Sequence, residues 1–151
     1  MTEEAVSFIK SHSEGPFFLH LSHHAVHTVL QAPDSLINKY RNKTPGKYHK
    51  NPIYAAMIEK LDDSVGRICQ VIKTLGIADR TIVIFYSDNG GSEPVTDNYP
   101  LNGGKGMPYE GGSRVPLIIR WTGKIEGGIR SSVPITGVDF YPTFVTLAQG
   151  K

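Results

Sequence analysis

Residues 80–91 read RTIVIFYSDNGG. The run from Thr81 to Tyr86 is β-branched and aromatic, the composition of a buried strand. It ends on Asp88 and Asn89, followed by two glycines. Asn-Gly is a common way to reverse a chain, so one reading is a plain turn. The other is a pair of oxygen donors held at the end of a strand, where open α/β sheets keep their sites.

Working outward, residues 52–75 place apolar side chains at Ile58, Leu61, Val65, Ile68, Ile72 and Leu75, alternately three and four apart. This spacing predicts one long helix with a buried stripe, begun by Pro52 and capped by Gly76. Residues 2–12 predict a shorter helix with Thr2 as N-cap, stopped by Gly15-Pro16. PFFLHLS (16–22) and VPLIIRW (115–121) read as strands, and VDFYPTFVTLAQ (138–149) as a closing helix. Strands alternating with helices predict an α/β fold with a mostly parallel sheet.

Two long polar segments interrupt this pattern, and loops of that length without structure of their own often carry function. Residues 22–51 are expected to be irregular and hold His23, His24, His27 and His49. Residues 89–114 hold seven of the sixteen glycines, with Lys105 inside NGGKGMPYEGG.

At 151 residues the chain suits one domain with a real core. Its net charge of +2 gives no reason to expect nucleic acid or an anionic membrane as partner. No apolar run approaches the roughly 20 residues of a membrane span. The single cysteine, Cys69, excludes an internal disulfide and reads as a small hydrophobe beside the helix stripe.

The chemistry-bearing residues each admit two readings. Asp88 and Asn89 offer hard oxygens suited to Ca²⁺ or Mg²⁺, but calcium takes roughly six to eight such donors. Asp62-Asp63 reads as a solvated helix face paired with Lys60 or Arg67. His23 and His27 invite zinc only if their segment is helical, and no helical pattern surrounds them. A histidine after a buried strand serves equally as a proton donor or an anion ligand. Lys105, flanked by glycines, can bring a point charge to an oxyanion, although the P-loop spacing is absent.

Taken in order, PFFLHLSHHAVHTVLQAP, YAAMIEKLDDSVGRICQVIKTLGIADRTIVIFYSDNGG, GGKGMPYEGGSRVPLIIRW and GVDFYPTFVTLA resemble consecutive blocks of the sulfatase family. The resemblance covers nearly the whole chain and implies the alkaline-phosphatase-like fold. By that resemblance Asp88 and Asn89 match ligands of the divalent cation, usually calcium. His27 matches the histidine that contacts the sulfate ester and protonates the leaving oxygen. Lys105 matches the lysine that holds a sulfate oxygen.

Departures from the family pattern carry their own expectations. Val29 stands where a proline is usual, and Trp121-Thr122-Gly123 where Trp-Pro-Gly is common. The family's nucleophile is a formylglycine made within a Cys/Ser-x-Pro/Ala-x-Arg motif, and no such motif occurs here. Residues 1–151 are therefore expected to be one partial catalytic domain without its nucleophile half, inactive alone. The resemblance further implies a sulfate-ester small molecule or sulfated sugar as substrate, and a periplasmic, secreted or lysosomal setting. A dimer through an exposed sheet edge is a further expectation. The alternatives are a phosphoesterase or phosphonate hydrolase of the same superfamily, and a non-catalytic remnant that binds an anion or metal.

Overall fold

A computed structural model describes residues 1–150. Its elements are α1 (Thr2–Ser11), α2 (Asp34–Arg41), α3 (Pro52–Thr74), β1 (Val83–Tyr86), the single turn α4 (Glu110–Ser113), β2 (Leu117–Arg120) and α5 (Phe140–Leu147).

Helix α3 organises the others, and its ends are made by sequence chemistry. Asn51 Oδ1 accepts from the Ile53 and Tyr54 amides at 3.0 and 3.1 Å, satisfying two donors that the first turn would leave bare. At the other end Gly76 takes φ +70°, and Ile77 N donates to Ile72 O while Gly76 N donates to Lys73 O. This pair of bonds is the Schellman motif, and it turns Ile77 back into the core beside Ile72.

Ile9, Ile72 and Ile77 form that core, with Phe17, Leu19, Ile68, Val71 and Val83 packed around it. The face of α3 differs from the expected stripe. Ala56, Met57, Ser64 and Ile72 are buried, whereas Ile58 and Leu75 are exposed. The reason is that α3 packs against α1 and also against α2. Ser64 is the close point with α1, its hydroxyl 2.8 Å from that of Thr2. Thr2 is thus the first residue of α1 rather than its cap, which is Met1.

Two other expectations are corrected. Residues 22–51 are not wholly irregular: Asp34–Arg41 is helical and buries Ile37 against α3. Pro33 before an acidic residue and a basic last turn were the local signals for it. Residues 16–22 form no ladder, because no strand lies beside them among the described residues.

The sheet of the described residues is the single pair β1–β2. The expectation of a mostly parallel sheet does not hold for this pair, which is antiparallel, Val83 opposite Arg120 and Tyr86 opposite Leu117. A parallel return needs a crossover, usually a helix, whereas residues 87–116 fold back as loops with one helical turn. The α/β character itself is present, with Val83 of β1 packed against the cluster that Ile9 of α1 and Ile72 of α3 form. The rings of Tyr86, Phe140, Phe144 and Phe18 meet in sequence, edge-on, stacked and tilted in turn, with centroids 5.2–5.8 Å apart, and hold α5 to the strand end.

Much of this apolar surface has no cover. Ile118 is 61% exposed, Val138 79% and Tyr141 78%. The accessible surface is 11161 Å². A folded monomer of 16.6 kDa shows about 7,600 Å² by the usual size scaling. The described chain is thus a scaffold with an open side.

Candidate active site

Strand β1 delivers Ser87, Asp88 and Asn89 at its carboxyl end, where Ser87 Oγ donates to the Asn89 carbonyl at 2.9 Å. From there the backbone is knitted to a distant part of the chain. Gly90 N donates to Gly112 O, Lys105 N donates to Gly91 O, and Gly111 N donates to Asn102 O, all at 2.8–3.0 Å. The strand end, the lysine loop and the turn α4 are thereby one cradle.

Glycine makes this approach possible. A Cβ on Gly90 would overlap the Gly111 carbonyl, and one on Gly111 would overlap the Gly103 carbonyl. The clustering of glycines around Lys105 therefore reflects backbone contact rather than a slack loop.

Asn98 is the clamp that sequence reasoning missed. Its Oδ1 accepts from Gly91 N at 3.0 Å, and its Nδ2 donates to Gly91 O at 2.9 Å and to Gly103 O at 3.1 Å. Only a side-chain amide supplies an acceptor and two donors in this way. The available signal was an amide residue placed midway between two Gly-Gly pairs.

The structure thus joins the segments of Asp88, Asn89 and Lys105. The Asp88 carboxylate and the Lys105 ammonium are both exposed, and neither takes part in an ion pair among the described residues. Opposite charges on bonded segments are left open to a third group. As a calcium site the donor set falls short. Asp88 and Asn89 have the right oxygen chemistry, but no group of three or more His, Cys, Asp or Glu side chains is gathered for a metal among the described residues.

His27 lies apart from this cradle in the hydrogen-bond network. It is exposed, and its Nδ1 lies 2.7 Å from the Thr28 carbonyl. A carbonyl only accepts, so Nδ1 carries the proton there, and Nε2 takes part in no hydrogen bond among the described residues. His23 differs: its Nε2 lies 3.2 Å from Ser64 Oγ, tying the histidine segment to α3. Burial, followed by the nearby terminal ammonium, pushes the His23 pKa down.

The remaining candidates are structural. Asp62 is exposed, and Asp63 pairs with Lys60 at 3.0 Å, the solvated helix face expected of them. Cys69 is a free, half-buried thiol near Ile72 and Val83.

Comparison with known proteins places the chain in a family. The sulfatase family model matches residues 1–150. A sulfatase of Formosa agariphila is 39% identical, covering 99% of this chain and 29% of the relative. Human steryl-sulfatase is 33% identical over 98% of this chain and 25% of its own length. The chain thus spans under a third of these relatives. Among solved structures, Ps i-CgsB in complex with k-i-k-neocarrahexaose superposes with a TM-score of 0.89 at 38% identity, covering 99% of this chain and 33% of that one. PsFucS1 sulfatase from Pseudoalteromonas sp. superposes with a TM-score of 0.81 at 32% identity, covering 99% and 29%. A family match along the described length, on a partial α/β fold shared with solved sulfatases, establishes that the chain belongs to the sulfatase family.

Proposed function

We infer that this chain forms the later part of a sulfatase catalytic unit that hydrolyses the sulfate ester of a sulfated sugar. The observation that carries this reading is the cradle, in which the lysine loop is bonded to the Asp88–Asn89 strand end. The family membership gives that geometry its chemistry.

In this reading Lys105 neutralises a sulfate oxygen, and the effect is largest as charge develops on the leaving group. His27, as the imidazolium with Nδ1–H anchored on Thr28, gives its Nε2 proton to the departing alcohol oxygen and is left as the neutral ring. Asp88 and Asn89 contribute two donors toward a calcium ion, and the rest of its shell comes from outside this chain. When bound, the cation would add charge neutralisation at the sulfate. The attacking group, a formylglycine by family pattern, also comes from outside, because no Cys/Ser-x-Pro/Ala-x-Arg motif is present.

Two observations support a partial unit. The chain matches 25–29% of the length of its curated relatives, and its apolar sheet and helix surfaces are uncovered. The sugar preference is supported by the neighbour crystallised with a neocarrahexaose.

The test is hydrolysis of sulfated sugars and aryl sulfates by a catalytic unit in which these residues are joined to a formylglycine segment. Lys105→Ala and His27→Ala should each lower turnover by orders of magnitude. Turnover within a few-fold of the parent would overturn the role of that residue. Faster hydrolysis of phosphate than of sulfate monoesters would move the reading to a phosphoesterase, and strong hydrolysis by residues 1–151 alone would remove the need for an outside nucleophile.

A further inference from the structure

Asn89-Gly90 and Asn102-Gly103 are the two Asn-Gly pairs of the chain, and both stand in the cradle. A backbone amide nitrogen can attack the side-chain amide carbon of the asparagine before it. Glycine hinders that attack least, because it has no Cβ and its backbone turns freely. The attack needs an amide nitrogen released from hydrogen bonding and a side chain able to swing over it.

The cradle treats the two pairs differently. Gly90 N donates to Gly112 O at 3.0 Å, and the Asn89 carbonyl accepts from Ser87 Oγ at 2.9 Å. Asn89 is half-buried, and the Gly111 carbonyl lies against the Cα of Gly90. This first pair is held. Gly103 N, by contrast, donates no hydrogen bond among the described residues, and the side chain of Asn102 takes part in none. Asn102 is exposed, and residues 102–104 belong to neither helix nor strand. The carbonyls of this second pair are nevertheless in use. Asn102 O accepts from Gly111 N at 2.8 Å, and Gly103 O accepts from Asn98 Nδ2 at 3.1 Å. Its reacting atoms are free while its structural atoms are loaded.

We propose that Asn102 is a site of spontaneous deamidation, and that its conversion opens the cradle at the lysine loop. Gly103 N attacks Asn102 Cγ, the new C–N bond closes a cyclic imide, and the side-chain nitrogen leaves as ammonia. Water then opens the ring at either carbonyl. Opening at Cγ leaves aspartate in an unaltered backbone. Opening at the main-chain carbonyl leaves isoaspartate, in which the chain runs on through Cβ and Cγ. The backbone is then longer by one carbon, and the former Asn102 carbonyl has become a free carboxylate. Gly111 N loses its acceptor from the place it held. Either product adds a negative charge three residues before Lys105. The inference stands apart from the reading of Lys105 as a sulfate ligand, and bears on it only because the altered loop carries that lysine.

The test is incubation of the full 151-residue chain at mildly alkaline pH, with peptide mapping by mass spectrometry over several days. Cleavage before Asp97 separates the two asparagines. The peptide holding Asn102 should gain the mass difference of an acid over an amide, several times faster than the peptide holding Asn89. It should also split into aspartate and isoaspartate forms. In concentrated urea the two rates should converge, because nothing there holds Gly90 N. N102Q should lose the fast conversion. In the isoaspartate fraction, hydrogen exchange at the Gly111 amide should be faster than in fresh chain. No conversion of Asn102, or conversion of Asn89 at the same rate in the folded chain, overturns the proposal. An unchanged ratio of rates in urea overturns the part played by the fold, and unchanged Gly111 exchange overturns the opening of the cradle.

Discussion

Lys105 N donates to the Gly91 carbonyl at 3.0 Å, so the loop lysine is anchored three residues beyond Asp88. Fourteen positions of sequence separate the bonded pair, yet they act as neighbours in the cradle. This one bond makes the position of Lys105 depend on the end of β1.

Filling the cradle should unseat that bond. Gly90→Ala places a methyl group on the Gly111 carbonyl, where neither backbone can yield cheaply. A loss of about 1–3 kcal/mol is expected, in the range of overpacked cores. Urea denaturation of the chain measures it, with Gly127→Ala as control, since nothing lies within 4 Å of a Cβ there.

Asn98→Asp keeps the acceptor for Gly91 N and loses both donors, leaving the Gly91 and Gly103 carbonyls facing a carboxylate. About 1–3 kcal/mol of local stability should go. Hydrogen exchange at the Gly91 and Lys105 amides is the sensitive readout. Unchanged protection at both would mean that Asn98 is not the clamp.

Helix α3 gives a matched pair of opposite sign. Asn51→Ala removes the acceptor for two amides and should cost about 1 kcal/mol. Gly66→Ala, on an exposed helix position with open space for the methyl, should gain roughly 0.5–1 kcal/mol. Thermal melts of the two variants should move in opposite directions.

His23 should make the fold sensitive to mild acid. Its folded pKa lies below the ordinary value, so the unfolded chain takes up the proton first. This contribution to stability is intact above the ordinary histidine value of 6.5 and declines as pH falls through that value toward the folded pKa. His23→Asn should flatten the decline that sets in as pH falls below 6.5. An unchanged pH profile would remove His23 as its cause.

Calcium should do little for the chain alone. Two donors bind weakly, and a dissociation constant near or above about 1 mM gives at most about 0.4 kcal/mol of stabilisation at about 1 mM calcium. Differential scanning with calcium and with chelator checks this. A large upward shift would show that this chain completes the calcium shell itself.

The helices were legible because their ends and periods are local. Asn51-Pro52 and Gly76 bracket α3 as the spacing requires, and the antiparallel partner of β1 is a strand of the expected composition. What could not be read locally was which neighbour each element meets. The small residues Ala56 and Ser64 give α3 its buried face because two helices approach it, and no periodicity count registers a second partner. The apolar run 16–22 lacked the partner that turns extended chain into a ladder. In the site, the residues that offer charge were visible as charge, whereas Asn98 acts by joining three backbone groups that only folding brings together.

The clamp on Asn98 also closes a ring. Gly91 and Asn98 are bonded to each other twice, so residues 92–97 form a loop with fixed ends, and Glu93 and Asp97 stand on it. A loop held at both feet can change length at small entropic cost without moving what lies outside it. Here the feet stay where they are and so does Lys105. Grafting a longer or shorter span between Gly91 and Asn98 would accordingly redraw the surface that carries Glu93 and Asp97 while leaving the clamp in place.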